Sequence, residues 1–147
     1  MAGVIIVADT CAIIHAYDET HPRSEACMKV LDSAGALVIS PLVLDEVDHM
    51  ARKEFGYEAS VEIAEDFRVN VVSGRYIIPT VTAATLAGAA NIRARYKGLQ
   101  LDLSDAVSMT LAAQYDTDMI LTTDFRDFRS VVPLSTHTHF RLLPEDL

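Results

Sequence analysis

The sequence predicts a three-layer α/β/α fold built on a central, mostly parallel sheet. Short apolar runs of strand length alternate along the chain with longer helical segments, the order expected when crossover helices link parallel strands. The first run, Val4 to Ala8, is continuously apolar and largely β-branched, the pattern of a strand covered on both faces. A chain of 147 residues holds one domain with a sizeable core, residues 1–147, and leaves no room for a second. Half of the residues are apolar and 22% are charged, which excludes wholesale disorder, and no repeat or low-complexity segment interrupts the pattern.

The elements follow in order. Thr10 to Tyr17 reads as a short helix leaving the first strand, and His21 to Ser33 as a second helix with Pro22 in its first turn. Gly35 ends that helix, and Ala36 to Ile39 is the second strand. Ser40 caps the next helix, Pro41 takes its first position, and the helix runs to about Glu54, before Gly56. Tyr57 to Phe67 resumes helix, with Val61, Ala64 and Phe67 on one face. Val69 to Ser73 and Tyr76 to Ile78 are β-rich around a Gly74-Arg75 interruption. Thr80 to Tyr96 is helical up to Gly98, and Ser104 is the expected N-cap of a helix through Tyr115. Met119 to Leu121 and Val131 to Leu134 are the expected remaining strands, and the tail from Thr136 forms either a last strand or a partner-dependent segment.

Two cysteines, Cys11 and Cys27, make neither a disulfide framework nor a metal spacing, and Cys11 is read as a small apolar residue without chemistry. The opening MAGVIIVAD lacks a basic start and breaks at Asp9, and every apolar run is shorter than a bilayer span, so a cytoplasmic protein without a membrane segment is expected. Twelve basic against twenty-one acidic residues give a net charge of −9, which disfavours broad, nonspecific binding to nucleic acid.

The placement of the acids matters more than their sum. Asp9 directly follows the first strand, and Asp124 follows Met119-Ile120-Leu121 after two threonines, so both stand beyond strand carboxyl ends, where open parallel sheets bind ligands. Asp105 stands at a helix start, where the dipole favours its charge, and Glu46 lies five residues past Pro41 near the start of its helix. Four carboxylates from four elements converge on one end of the sheet, an arrangement that is costly unless a cation neutralises it. With no histidine or cysteine cluster nearby, the donors suit magnesium or manganese rather than zinc, and metal-assisted phosphodiester hydrolysis uses such a site best. Taken singly, each acid has a plainer reading: Asp9 and Asp124 as turn or cap residues, Asp105 as a first-turn acid, Glu46 as a surface acid beside Asp45 and Asp48. Asp45 and Glu46 point about 100° apart on their helix, so only one of them can face the crevice.

Four segments, VIIVADTCAIIHAY, ISPLVLDEVDHM, LDLSDAVSMTLAA and ILTTDFRDF, come in an order and strand context that resembles the PIN-domain ribonucleases, and among them the VapC-like toxins of bacterial toxin–antitoxin pairs. The likeness covers nearly the whole chain. It implies that Asp9, Glu46, Asp105 and Asp124 hold one or two divalent cations, Mg2+ or Mn2+, and activate water against the phosphorus of RNA. It favours Glu46 over Asp45. Thr10 and Thr122 then orient an acid or a water, or else serve as plain caps. Asp127 is either an outer acid or part of a solvated face.

The resemblance further implies a cognate VapB-like antitoxin whose basic groups enter the acidic site, and a homodimer is the expected assembly. Eight acids between Asp45 and Asp66, against Arg52 and Lys53, make a better surface for a basic protein than for RNA. Val43, Leu44, Val47, Phe55 and Tyr57 are available to line a groove there, or belong to the core. Arg126 and Arg129, with Arg93, Arg95 and Lys97 at a helix end, either contact RNA phosphate or are ordinary solvated residues. A non-toxin RNA-processing nuclease of the same kind, a small magnesium-dependent phosphatase and a catalytically silent RNA-binding or regulatory domain remain the alternatives. The phosphatase lacks a nearby acid partner in Asp9-Thr10-Cys11, and no glycine-rich turn follows the first strand to support dinucleotide binding.

Overall fold

The computed structural model describes residues 3–147; Met1 and Ala2, the start of the opening segment, lie outside them. In chain order the elements are β1 (Ile5–Ala8), α1 (Thr10–Tyr17), α2 (Ser24–Ser33), β2 (Ala36–Val38), α3 (Pro41–Phe55), α4 (Tyr57–Val72), β3 (Tyr76–Ile77), α5 (Ala83–Arg95), a 3-10 turn (Lys97–Leu99), α6 (Leu103–Gln114), β4 (Met119–Leu121), α7 (Phe125–Ser130) and β5 (Arg141–Leu143). The strands form one sheet in the order β3-β2-β1-β4-β5, and each of its four pairings is parallel.

Alternation along each strand sorts its residues between two cores. Ile6, Ala8, Leu37, Leu121 and Leu143 pack with Ile13, Leu31, Val43, Val47, Ile63 and Phe67 of α1 to α4. Val7, Val38, Ile120 and Leu142 pack on the other face with Ile92, Met109 and Phe128 of α5, α6 and α7. This is the three-layer arrangement expected, and it explains why the strands read as unbroken apolar runs. From β1 the chain moves outward to β2 and β3, then returns to place β4 on the other side of β1. The order reverses between β1 and β4, so the carboxyl ends of these two strands mark the switch point that is the crevice position of open parallel sheets.

Several boundaries differ from expectation. Val69 to Ser73 is not strand: α4 continues to Val72, with Val69, Val71 and Val72 exposed to solvent. Packing of Ile63 and Phe67 extends the helix through a β-branched run whose local preference is weak. It stops at a Schellman motif, in which Gly74 at φ +84° donates its N–H to Val71 O and Arg75 donates to Asn70 O. The second helix starts at Ser24 rather than His21, and α5 starts at Ala83 behind a Thr82–Thr85 capping box. Asp102, not Ser104, caps α6, because its carboxylate reaches the Asp105 N–H at 2.8 Å and satisfies a free helix donor. Val131 to Leu134 forms no strand; Val131 is buried in the second core, and the Val132 N–H donates to the Tyr96 hydroxyl at 3.0 Å. The fifth strand comes from the tail.

Helices α5 and α6 form an antiparallel pair. Gln114 at the end of α6 reaches Thr85 at the start of α5, and Gly88 lies so close to Thr110 that a Cβ there would stand 2.5 Å from its methyl carbon. The end of α5, with exposed Arg93, Arg95 and Lys97, therefore lies beside the start of α6, at the crevice end of the molecule. Of the proposed groove residues, Val43 and Val47 are core, whereas Leu44 and Phe55 line surface grooves and Tyr57 is exposed. Among the described residues no helix is long and apolar enough to cross a membrane.

Candidate active site

Asp9 ends β1 and caps α1. Its buried carboxylate accepts the Thr10 N–H at 2.9 Å, the Thr122 hydroxyl at 2.8 Å and the Cys11 thiol at 3.3 Å. Burial pushes its pKa above the ordinary range, opposed by the bonds from Thr122, Cys11 and Thr10, while the charge of Asp124 adds to the rise. Thr122 is fully buried at the end of β4 and also accepts the Asp124 N–H at 3.0 Å, so one hydroxyl ties the two carboxylate-bearing strand ends together. At Thr10 the backbone, not the side chain, meets Asp9; the buried Thr10 hydroxyl has no hydrogen-bond partner.

Cys11, read from the sequence as a small apolar residue without chemistry, stands between Asp9 and the loop after β4, where its sulfur accepts the Thr123 N–H at 3.4 Å. Burial first, then the charge of Asp9, pushes the thiol up to about 11, so it stays protonated and can donate. Its position two residues after Asp9, in the first turn of α1, was the available signal.

Asp105, Asp124 and Asp127 each offer a carboxylate oxygen, and the three oxygens lie within 4.8 Å of one another. Asp124 caps α7 without a side-chain bond to it, leaving its carboxylate free. Asp127 is one turn further on the same face. The six-residue helix α7 is anchored by Phe128, buried edge-on against Phe140 at 6.1 Å, and by Arg129, which makes two 2.7 Å bonds to Asp146. Burial, then the charges of Asp9, Asp102, Asp124 and Asp127, pushes Asp105 up to about 8. Burial and the charge of Asp124 likewise raise Asp127, whose Oδ1 is buried without a hydrogen bond. Asp102 is a further acid at this edge that the sequence reading did not include. Half-buried Asp105 and Asp127, both with raised pKa values, beside the exposed carboxylate of Asp124 and with an Asp127 oxygen that has no hydrogen bond among the described residues, fit an oxygen-ligated divalent cation.

Of the expected set, Asp105 and Asp124 come together directly, Asp127 joins them, and Asp9 is electrostatically coupled to both Asp105 and Asp124. Glu46 is half-buried on α3 and is not part of the three-acid group, while Asp45 and Asp48 line a groove between α3 and α4. Arg126 is exposed, with Nε 3.9 Å from Asp127, and Arg129 is taken up by Asp146.

The PIN domain family matches residues 6–132, a span that contains every one of these acids. Ribonuclease VapC26 of Mycobacterium tuberculosis is 30% identical over 130 residues, covering 88% of this chain and 93% of that one. Among solved structures, the sarcin-ricin loop cleaving toxin VapC20 of Mycobacterium tuberculosis superposes with a TM-score of 0.74 at 18% identity, over 89% of this chain and 98% of that chain. A toxin–antitoxin complex from Klebsiella pneumoniae gives 0.62 at 18% identity, over 86% and 92% of the two chains. With the acids gathered beyond β1 and β4 of this sheet, the chain belongs to the PIN-domain family, in the VapC group of VapB–VapC toxin–antitoxin proteins.

Proposed function

We propose that this protein is a divalent-metal-dependent endoribonuclease, the toxin of a pair, that hydrolyses RNA phosphodiester bonds and is inhibited by a cognate VapB-like antitoxin. The carrying observation is the group of Asp105, Asp124 and Asp127, packed within 4.8 Å at the crevice with Asp105 raised to about 8. Asp9, Asp105 and Asp124, with Asp127, are the residues that would hold Mg2+ or Mn2+. When bound, the cation supplies polarisation of the scissile phosphate and a lowered pKa for the attacking water. Thr122 keeps Asp9 oriented by its 2.8 Å bond and keeps the loop bearing Asp124 against β1. The buried Thr10 hydroxyl, without a hydrogen-bond partner among the described residues, is proposed to orient a water beside Asp9.

Glu46 is proposed as a further acid of the site. In support, Leu42, one turn earlier on the same face of α3, packs against Ala89, Ala106, Val107 and Leu111, beside Asp105. Arg93, Arg95 and Lys97 at the crevice end of α5, together with exposed Arg126, are proposed to meet RNA phosphates around the acids. Arg129 is committed to Asp146 and instead steadies α7.

For the antitoxin, the favoured surface is a groove of about 460 Å³ lined by Tyr17, Phe55, Asp18, Glu19, Glu62 and Asp66, whose acids suit a basic segment. The exposed valines of α4, with Val69 51% and Val72 76% accessible, offer apolar surface for the proposed homodimer. Two free cysteines agree with a cytoplasmic site of action.

An RNA panel incubated with Mg2+ or Mn2+ tests the reading. Cleavage is expected from the natural chain, and no cleavage from D124N or in the presence of a chelator. Cleavage unaffected by both sinks it. The toxin assignment requires that induced expression slows growth and that a small basic partner encoded nearby restores it.

A further inference from the structure

The site as described leaves Thr123 and two neighbouring histidines without a role. Thr123 stands between Thr122, which holds Asp9, and Asp124. Its hydroxyl meets His15 Nδ1 at 2.9 Å, and its N–H donates to Cys11 Sγ at 3.4 Å. His15 lies on α1, the helix that Asp9 caps. The His15 ring is stacked on His21, with centroids 3.6 Å and planes 8° apart. His21 is fixed in turn, since its Nδ1 accepts the Arg23 N–H at 3.1 Å. The stack holds the His15 ring in one plane and so fixes where its Nδ1 points. Two adjacent threonines thereby fasten the loop between β4 and α7 to α1 at two depths: Thr122 to the carboxylate of Asp9, and Thr123 to the imidazole beyond it.

We infer that His15 and Thr123 are a positioning pair, which holds the loop carrying Asp124 against α1 and so sets the distance between Asp9 and the acids of α7. The inference rests on reading those acids as a divalent-cation nuclease site. Neither residue touches the cation or the RNA. A metal group built from residues on β1, α6 and α7 keeps its spacing only if the loop joining β4 to α7 cannot slide, and groups that orient ligands from behind typically change metal affinity by about 10- to 100-fold when lost.

The test is a Mn2+ binding titration on the full chain, well below its melting temperature, with cleavage measured in parallel. T123V removes the hydroxyl and keeps the shape, whereas T123S keeps the hydroxyl. H15F keeps a ring to stack on His21 and loses the hydrogen bond, while H15N returns an amide near the Nδ1 position. T123V and H15F are each expected to weaken Mn2+ about 10-fold, and the double variant no further, because both remove one bond. T123S is expected to bind within about twofold of the natural chain, and H15N to recover part of the loss seen in H15F, since it returns the bond partner without the stack.

Wild-type affinity in T123V overturns the inference, as do additive losses in the double variant or a T123S as weak as T123V. If H15F does not fold, the T123V and T123S pair decides alone. Equal Mn2+ binding by the natural chain and D124N instead brings down the nuclease reading itself, and this inference with it.

Discussion

Two acidic regions of this molecule treat their carboxylates in opposite ways. Along α3 and α4 the acids face water or cations: Asp45 and Asp48 are exposed, and Glu65 is held below its ordinary range by hydrogen bonds from the Arg68 guanidinium at 2.7 and 2.9 Å. At the crevice beyond β1 and β4 the acids face one another. Burial and four neighbouring carboxylates push Asp105 up to about 8, and no basic side chain bonds to it. The first region is as acidic as the second, so acidity alone identifies neither a site nor a partner. Desolvation of Asp105 and Asp127 with little counter-charge, exposed Arg126 standing 3.9 Å from Asp127, is what separates them, because a chain gains nothing structural from gathering like charges in a partly dry cleft.

The largest expected effect that sharpens this contrast is on cleavage. D105N or D124N is expected to lower RNA cleavage by about 100-fold or more, whereas D45N stays within about threefold of the natural chain. Initial rates on one RNA substrate check this, and equal losses from both regions would erase the distinction. The same assay with E46Q decides the fourth acid: a loss comparable to that of D105N places Glu46 with the crevice, and a rate like that of D45N places it with the solvated helix.

The next effect is on stability. Asp105 has an ordinary pKa of 3.8 and a folded value of about 8. Between those values the unfolded chain has released a proton that the folded chain still holds, so without divalent cation stability falls as the pH rises from about 4 to about 8, then levels. Mg2+ is expected to raise the melting temperature more near pH 8 than near pH 5, and D105N to flatten both dependences. Thermal melts across that range check it; a Mg2+ effect independent of pH would count against the raised acid.

The smallest effect belongs to α4. The Glu65–Arg68 pair is exposed on both sides, so R68A is expected to shift the melting temperature by no more than about 1 °C. A larger drop would mean that the solvated acids also bear on the fold.

Much of the fold was legible because strong local signals agreed with packing. Ser40, Pro41 and Gly56 bound α3 as their cap and φ preferences require, and the apolar runs at β1, β2 and β4 form parallel strands. Asp9 and Asp124 were legible because a carboxylate directly after a buried strand has a topological position, not merely a composition. Where two local signals competed, the pattern misled. Val69 to Val72 has strand propensity, but Phe67 carries the helix onward, and Gly74 marks its end more clearly than the valines mark a strand. Ser104 and Asp102 both qualify as caps, and only the bond to the Asp105 N–H separates them. The placement of Asp127 and Cys11 was not legible for one reason: each lies within a turn of Asp124 or Asp9, and which side a short helical turn presents is decided by contacts distant in sequence, Phe128 on Phe140 and Thr123 on Cys11.

The central claim is that the crevice acids carry a proton in place of a cation that they are built to hold. Calorimetric titration of Mn2+ into the chain near pH 7, repeated in two buffers of different ionisation enthalpy, measures it directly. The account predicts binding accompanied by release of roughly one proton, with D105N losing both the release and most of the affinity. Binding without proton release, or a D105N titration identical to that of the natural chain, would contradict it.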